Sequence, residues 1–176
     1  MLGHFRPVDN SDRGLQSRHL LGMTFLDLPP TWTDQPLTDP AVAADVVDLM
    51  LTLGDRQRGT FAVILCDPDN LYRATITVDL PSEFDRLAPP LDTHALCSTA
   101  LSPIIPAIQT APNTSVILAL GRPGPLHSPA LDQDWSTAAT NITQAAHLNL
   151  LSFHIATPEG IHHPQTTQQL TTPTAA

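Results

Sequence analysis

The 176-residue sequence predicts an α/β domain, a mixed β-sheet flanked by helices, and three observations carry that prediction. Apolar runs of strand length, "TFAVILC", "TSVILAL" and "NLLSFHIAT", alternate with segments whose apolar residues recur at helical spacing. Turn chemistry such as "DPDN" and "PEG" separates them. The expected order is helix, strand, strand, helix, strand, helix, strand.

Taken in order, "DPAVAADVVDLMLTLG" opens the body as a helix. Asp39 suits the N-cap, Pro40 the first helical position and Gly54 the exit, and Val42, Val46, Leu49, Met50 and Leu53 fall on one face. "TFAVILC" reads as a buried strand and "LYRATITVDL" as a second, alternating one, the two joined as a hairpin through "DPDN". "DTHALCSTALSPIIPAIQT" is helix-like but interrupted by Pro103 and Pro106, which predicts one kinked helix or two short ones. "TSVILAL" is a third buried strand. "DQDWSTAATNITQAAHL" follows as a helix whose Trp135, Ala138, Ala139, Ile142, Ala145 and Ala146 cover the sheet. "NLLSFHIAT" is the fourth strand, with Leu151, Phe153 and Ile155 on one face, ending at "PEG".

The expected organisation is a flexible N-terminal arm and proline-rich linker over 1–38, one α/β domain over 39–163, and a disordered polar tail over 164–176. Within the arm, "HLLGMTFL" reads as an edge strand or a short helix, and Trp32 as the residue that pins the linker to the body.

The totals exclude several classes. No apolar run approaches the roughly 20 residues of a membrane span, and the first residues lack the pattern of an export signal, so a cytoplasmic protein is expected. The chain has no lysine and a formal net charge of −9, which opposes nucleic-acid binding because that relies on clustered cations neutralising phosphates. Cys66 and Cys97 are too few for a disulfide framework, and Cys66 reads as a small buried hydrophobe. The sequence has no G-x-S-x-G elbow, no Walker loop and no G-x-G-x-x-G.

The most informative stretch is "LALGRPGPLHSPALDQDW", Leu118 to Trp135. Together with the element order from about Asp39 to His163, it resembles the RadC-like branch of the JAB/MPN (JAMM) superfamily. In that family the equivalent strand runs into a loop opening His-x-His-Pro. Both histidines and a later Asp bind zinc, a Ser precedes that Asp, and an upstream Glu polarises the water. Two imidazoles and a carboxylate leave one coordination position for a hydrolytic water. Here Pro123 takes the place of the family's proline, and Ser128 with Pro129 that of its later Thr-Pro. Leu120 and Arg122 then stand where the histidines belong, Ala130 where the Ser belongs and Gln133 where the Asp belongs. The expected neighbourhood of the glutamate offers only Thr75 and Thr77. The resemblance thus implies the fold without its metal ligands: no catalytic residue, no metal and no cofactor, and a scaffold for an unidentified protein or peptide, with homo-oligomers open to it.

Four residues are the candidate ligand-binding set: Arg122, His127, Asp132 and Asp134. One alternative is a metal-dependent hydrolase rebuilt around His127 and Asp132 or Asp134, with His154 as a further ligand. Another is a small anionic ligand held by the planar fork of Arg122. Against these stand plainer readings. Ser128, Asp132 or Asp134 caps the following helix, Arg122 forms a surface pair with Asp132 or Asp134, and His154, His162 and His163 form a chance surface cluster.

Overall fold

The computed structural model describes residues 28–81, 92–111 and 113–164. The expectations for "HLLGMTFL", for the rest of the arm before Leu28 and for the tail after Pro164 fall outside those residues.

Two helices precede the sheet. Helix α1 spans Pro40–Met50, its first turn capped by the Asp39 carboxylate, which accepts from the Ala41 amide at 2.8 Å. The expected single helix is in fact broken at Leu51. Thr52 and Asp55 form a reciprocal capping box that starts α2, Leu53–Arg58, so Gly54 lies inside a helix rather than at an exit. The core face also differs from the expected one. Ala43, Val46, Val47 and Leu51 are buried, whereas Leu49 lies on the outer side of α1 and Leu53, which the break at Leu51 carries into the next helix, is exposed.

Strand β1, Thr60–Cys66, pairs antiparallel with β2, Tyr72–Asp79, as the expected hairpin. Its turn is tied by Asp67, whose carboxylate accepts from the Asp69 and Leu71 amides, and Asn70 adopts the left-handed backbone the turn requires, φ 62°. Beyond the hairpin, the two prolines divide the next segment into α3, Thr93–Leu101, and α4, Ile105–Gln109. Strand β3, Ser115–Gly121, pairs antiparallel with β1 and parallel with β4, Asn149–Thr157; helix α5, Pro129–Ala145, makes the crossover. A fifth strand, β5 at Gly160–His162, folds back antiparallel on β4 after the Pro158–Glu159 turn, where the sequence reading stopped.

The sheet order is β2-β1-β3-β4-β5. Every residue of β3 is buried, because helices cover both faces, as the unbroken apolar run "SVILALG" requires. On one face Phe61, Val63, Val116, Leu118, Leu120, Phe153 and Ile155 meet α3, α4 and α5, with Trp135 fully buried against Phe61. On the other, Ala62, Ile64, Ile117, Ala119 and Ala156 meet α1 and Leu37. The register of β3 with β4 shifts between Val116 and Ile117. That bulge moves Leu151 to the α1 face while Phe153 and Ile155 stay on the other, so the three do not share one face as expected. Leu37 is buried and Trp32 packs on Tyr72 at 4.9 Å between ring centroids, so the linker ends as part of the body. Cys66 and Cys97 are buried free thiols, pushed by burial up to about 11 and about 12.

Candidate functional site

The site lies where β3, β4 and the start of β1 end together. Gly121 closes β3 there because α2 passes directly over it: a Cβ would stand 3.2 Å from the Thr60 carbonyl oxygen and 3.4 Å from the Arg56 Cα. Arg122 follows, its amide held by the Ala156 carbonyl at 2.9 Å. Its side chain turns inward, 1% exposed. The loop Pro123–Ser128, with Gly124 at φ 91°, curls round the guanidinium. Nη1 donates to the Pro123 and Pro125 carbonyls at 3.2 and 2.8 Å, and Nη2 to the Leu126 carbonyl at 3.4 Å. Nε and Nη2 also donate to Asp132 Oδ1 at 3.0 and 2.8 Å, so side-on pairing with one acid completes the ring.

Asp132 sits in the first turns of α5, where its other oxygen accepts from the Ser128 amide at 2.9 Å and lies 3.0 Å from His162 Nε2. Burial alone would raise its carboxyl; the hydrogen bonds from His162 and Ser128 and the charge of Arg122 outweigh that and hold it below the usual carboxylate range. Asp132, not the Ser128 side chain, therefore ties the helix start, since Ser128 occupies the cap position without a side-chain bond. His127 stacks obliquely on His162, ring centroids 4.6 Å apart. These two, with Pro129, Asp132, Gln133 and His163, border a hollow of about 550 Å³. Glu159, in the turn before β5, fixes the far side of the loop by accepting from the Leu126 amide at 3.1 Å.

The structure thus brings three of the four candidate residues together: Arg122, His127 and Asp132. Asp134 is exposed and does not border the hollow. Arg122 and Asp132 form the expected pair, but a buried one rather than a surface one, because the proline-rich loop folds back over it. The guanidinium donors all point inward, so Arg122 offers no free fork to an anionic ligand. His154 is remote from this group in chemistry: 1% exposed on the α1 face, it shares a 2.9 Å hydrogen bond with Ser152, and burial drives its pKa down to about 3. It is a core histidine and not part of a surface cluster, although His163 lies beside it at 5.5 Å between rings. His163 Nδ1 donates to the Phe153 carbonyl at 2.6 Å, and His162 turns the other way, as adjacent extended residues do. Sequence reasoning missed His162 as a site residue. Its link to Asp132 spans thirty positions, and nothing local signals it.

The residues in the zinc positions implied by the resemblance do not suit a metal. Leu120 is buried in the core, Arg122 is a cation, Ala130 has no donor, and the Gln133 amide donates to the Thr137 hydroxyl at 3.3 Å. Among the described residues no group of three His, Cys, Asp or Glu side chains is arranged to hold a metal ion. Among the described residues no helix is long and apolar enough to cross a membrane.

Fold and site together define the class: a three-layer α/β protein, with a five-stranded mixed sheet and a loop closed on a buried ion pair at its end. Comparisons with known protein families, with curated proteins and with solved structures find no match for this chain.

Proposed function

We propose that this chain is a metal-free relative of the RadC-like JAB fold, acting as a non-catalytic protein- or peptide-binding module. The observation that carries the reading is the Arg122 side chain. On the resemblance it stands in the place of a zinc-binding histidine, and here its guanidinium lies inside the loop, ringed by three carbonyls and Asp132. A fixed cation in that position repels a dication and consumes the carboxylate that would bind one. The charge the loop is shaped to enclose is supplied by the chain itself. What remains open to solvent is the hollow beside His127, Gln133 and His162, of a size that admits one or two side chains of a partner.

A second reading, a hydrolase with a rebuilt metal site, draws on one fact: His127, Asp132 and His162 border the same hollow. Metal analysis of protein purified without chelator separates the two. The binding-module reading expects zinc and other transition metals far below one per chain, and near-stoichiometric metal would sink it. Peptide-display selection on the intact protein supplies the positive arm. Enriched peptides should lose binding to Ala130→Trp, which fills the hollow, and keep it with Asp134→Ala on the exposed side of the same helix. Peptides indifferent to Ala130→Trp would remove the hollow from the reading.

A further inference from the structure

The hydrogen-bonding character of the hollow beside β5 is dictated by the fixed neighbours of its side chains. Asp132 is an ionised carboxylate and can only accept, so the proton between it and His162 sits on Nε2, and Nδ1 of the neutral ring is a bare lone pair. That Nδ1 is buried without a partner among the described residues. The Phe153 carbonyl likewise can only accept, so His163 carries its proton on Nδ1 and keeps Nε2 as an acceptor. Gln133 gives its amide nitrogen to the Thr137 hydroxyl, which leaves its Oε1 for a donor. His127, exposed and stacked on His162, adds a further lone pair while neutral. The Arg122 guanidinium and the Ser128 amide, the donors next to these groups, are both turned to Asp132. The wall is therefore rich in acceptors.

Charge at longer range points the same way. The chain has no lysine and a formal net charge of −9. Every arginine among the described residues is paired with an aspartate: Arg56 with Asp48, Arg58 with Asp55, Arg73 with Asp67 and Arg122 with Asp132. A field of that sign steers cationic partners inward and holds anionic ones off.

We infer that the hollow receives a lysine or arginine side chain from a partner peptide, and that protonation of its histidines expels it. The inference rests on the binding-module reading above and names what such a module takes. Lysine and arginine carry donors only, which matches a wall of acceptors, and their methylene stems suit the apolar Pro129 and Ala130 that border the same hollow. Imidazole changes charge between about pH 5 and 8. In acid the lone pairs on the rings become N–H donors, and the wall turns from accepting to donating and from neutral to cationic. Among the described residues, the charged or titratable groups that face these rings are Asp132 from α5, Arg122 from the end of β3, Glu159 from the turn before β5 and His154 from β4. Arg122 and Asp132 offset one another, Glu159 is held by the Leu126 amide on the far side of the loop, and burial keeps His154 neutral. The change of charge in the hollow over this range is thus that of His127, His162 and His163.

Selection of a random peptide library on the full chain at about pH 7.5, where imidazole is mostly neutral, should enrich sequences that contain Arg or Lys. Replacing that residue by Gln in a selected peptide should weaken binding at least about tenfold, because a charge-assisted hydrogen bond is lost. Moving the unmodified peptide from about pH 7.5 to about pH 5.5 should weaken it by a similar factor. His127→Arg fixes a cation on the wall and should weaken binding at the higher pH as acid does, whereas His127→Gln keeps an acceptor and should retain it. This pair decides the matter if the chain loses its fold in acid. Peptides that are lost in Ala130→Trp yet carry no Arg or Lys overturn the inference and leave the binding-module reading standing. So do hollow-dependent peptides that bind as tightly in acid with the fold intact, or as tightly to His127→Arg. Peptides indifferent to Ala130→Trp, or a library from which nothing is enriched, overturn both.

Discussion

Two buried arginines stand at the same end of the sheet and do different things. Arg122 is enclosed with Asp132, side chains 1% and 4% exposed, and the pair closes a loop on itself. Arg56, in α2, donates to the Leu51 carbonyl at 2.9 Å, to the Asp48 carbonyl at 3.3 Å and to the Thr157 carbonyl at 3.2 Å, and its acid partner Asp48 keeps 20% of its side chain in solvent. Arg56 is thus a clasp for main chain: it caps the C-terminal end of α1, where the helix dipole favours a cation, and ties it to the end of β4. The contrast teaches that a buried cation ringed by carbonyls is completed either by a fully desolvated counter-ion or by one still in touch with solvent, and that the first arrangement is the more brittle.

The largest effect should therefore come from Arg122. Arg122→Met removes the fixed cation beside Asp132 and leaves the buried carboxylate only the Ser128 amide and His162, and stability by denaturant titration should fall by about 3–5 kcal/mol. The double variant Arg122→Met, Asp132→Leu should recover most of that loss, because no charge is then stranded. If the double variant is as unstable as the single one, the carbonyls round the guanidinium, and not Asp132, carry the interaction, and the two arginines are alike after all.

Acid should separate the site from the core. Asp132 titrates below its unfolded value of 3.8, so its contribution is complete above that pH and is lost as pH falls through the lower folded value. His154 acts over a higher window. Its unfolded pKa is 6.5 and burial holds the folded one near 3, so between those values the unfolded chain binds a proton that the folded chain refuses, and stability declines as pH drops from about 6.5. Replacing His154 by Asn should flatten the stability curve between pH 6.5 and 4 by one proton's worth of slope while leaving the decline below pH 4. An unchanged slope would mean that His154 is reached by water.

Much of the fold was legible because period and punctuation are local. The Asp39-Pro40 start of α1, the "DPDN" hairpin, the two prolines dividing α3 from α4, and the unbroken apolar run of β3 all announce themselves. What escaped depends on partners distant in sequence. The bulge at Leu151 is a property of the β3–β4 register, and β5 is only three residues long. Helix α2 was hidden because Gly54 suits an exit as readily as an interior, whereas the deciding signal was Thr52 followed by Asp55, which competes with α1 for the same few residues. At the site, pairing of Arg122 with Asp132 was readable as opposite charges on one short loop. Its burial was not, since that follows from how the loop folds over β3 and β4.

On the other arm of the comparison the effects are smaller and spread over more contacts. Arg56→Met should cost about 1–3 kcal/mol, since the carbonyls it leaves are partly able to find water and Asp48 already has solvent. The Thr52–Asp55 box that starts the same helix should matter less again. Asp55 is held below the usual carboxylate range chiefly by the hydrogen bond from the Thr52 hydroxyl at 2.6 Å, and Thr52→Ala removes that bond together with the cap on the Asp55 amide. A loss of about 1 kcal/mol is expected, with hydrogen exchange quickening in α2 before α1. If instead α1 and α2 open together in Thr52→Ala, the Arg56 clasp binds the two helices into one cooperative unit, and the distinction between a closed ion pair and a main-chain clasp becomes one of position alone.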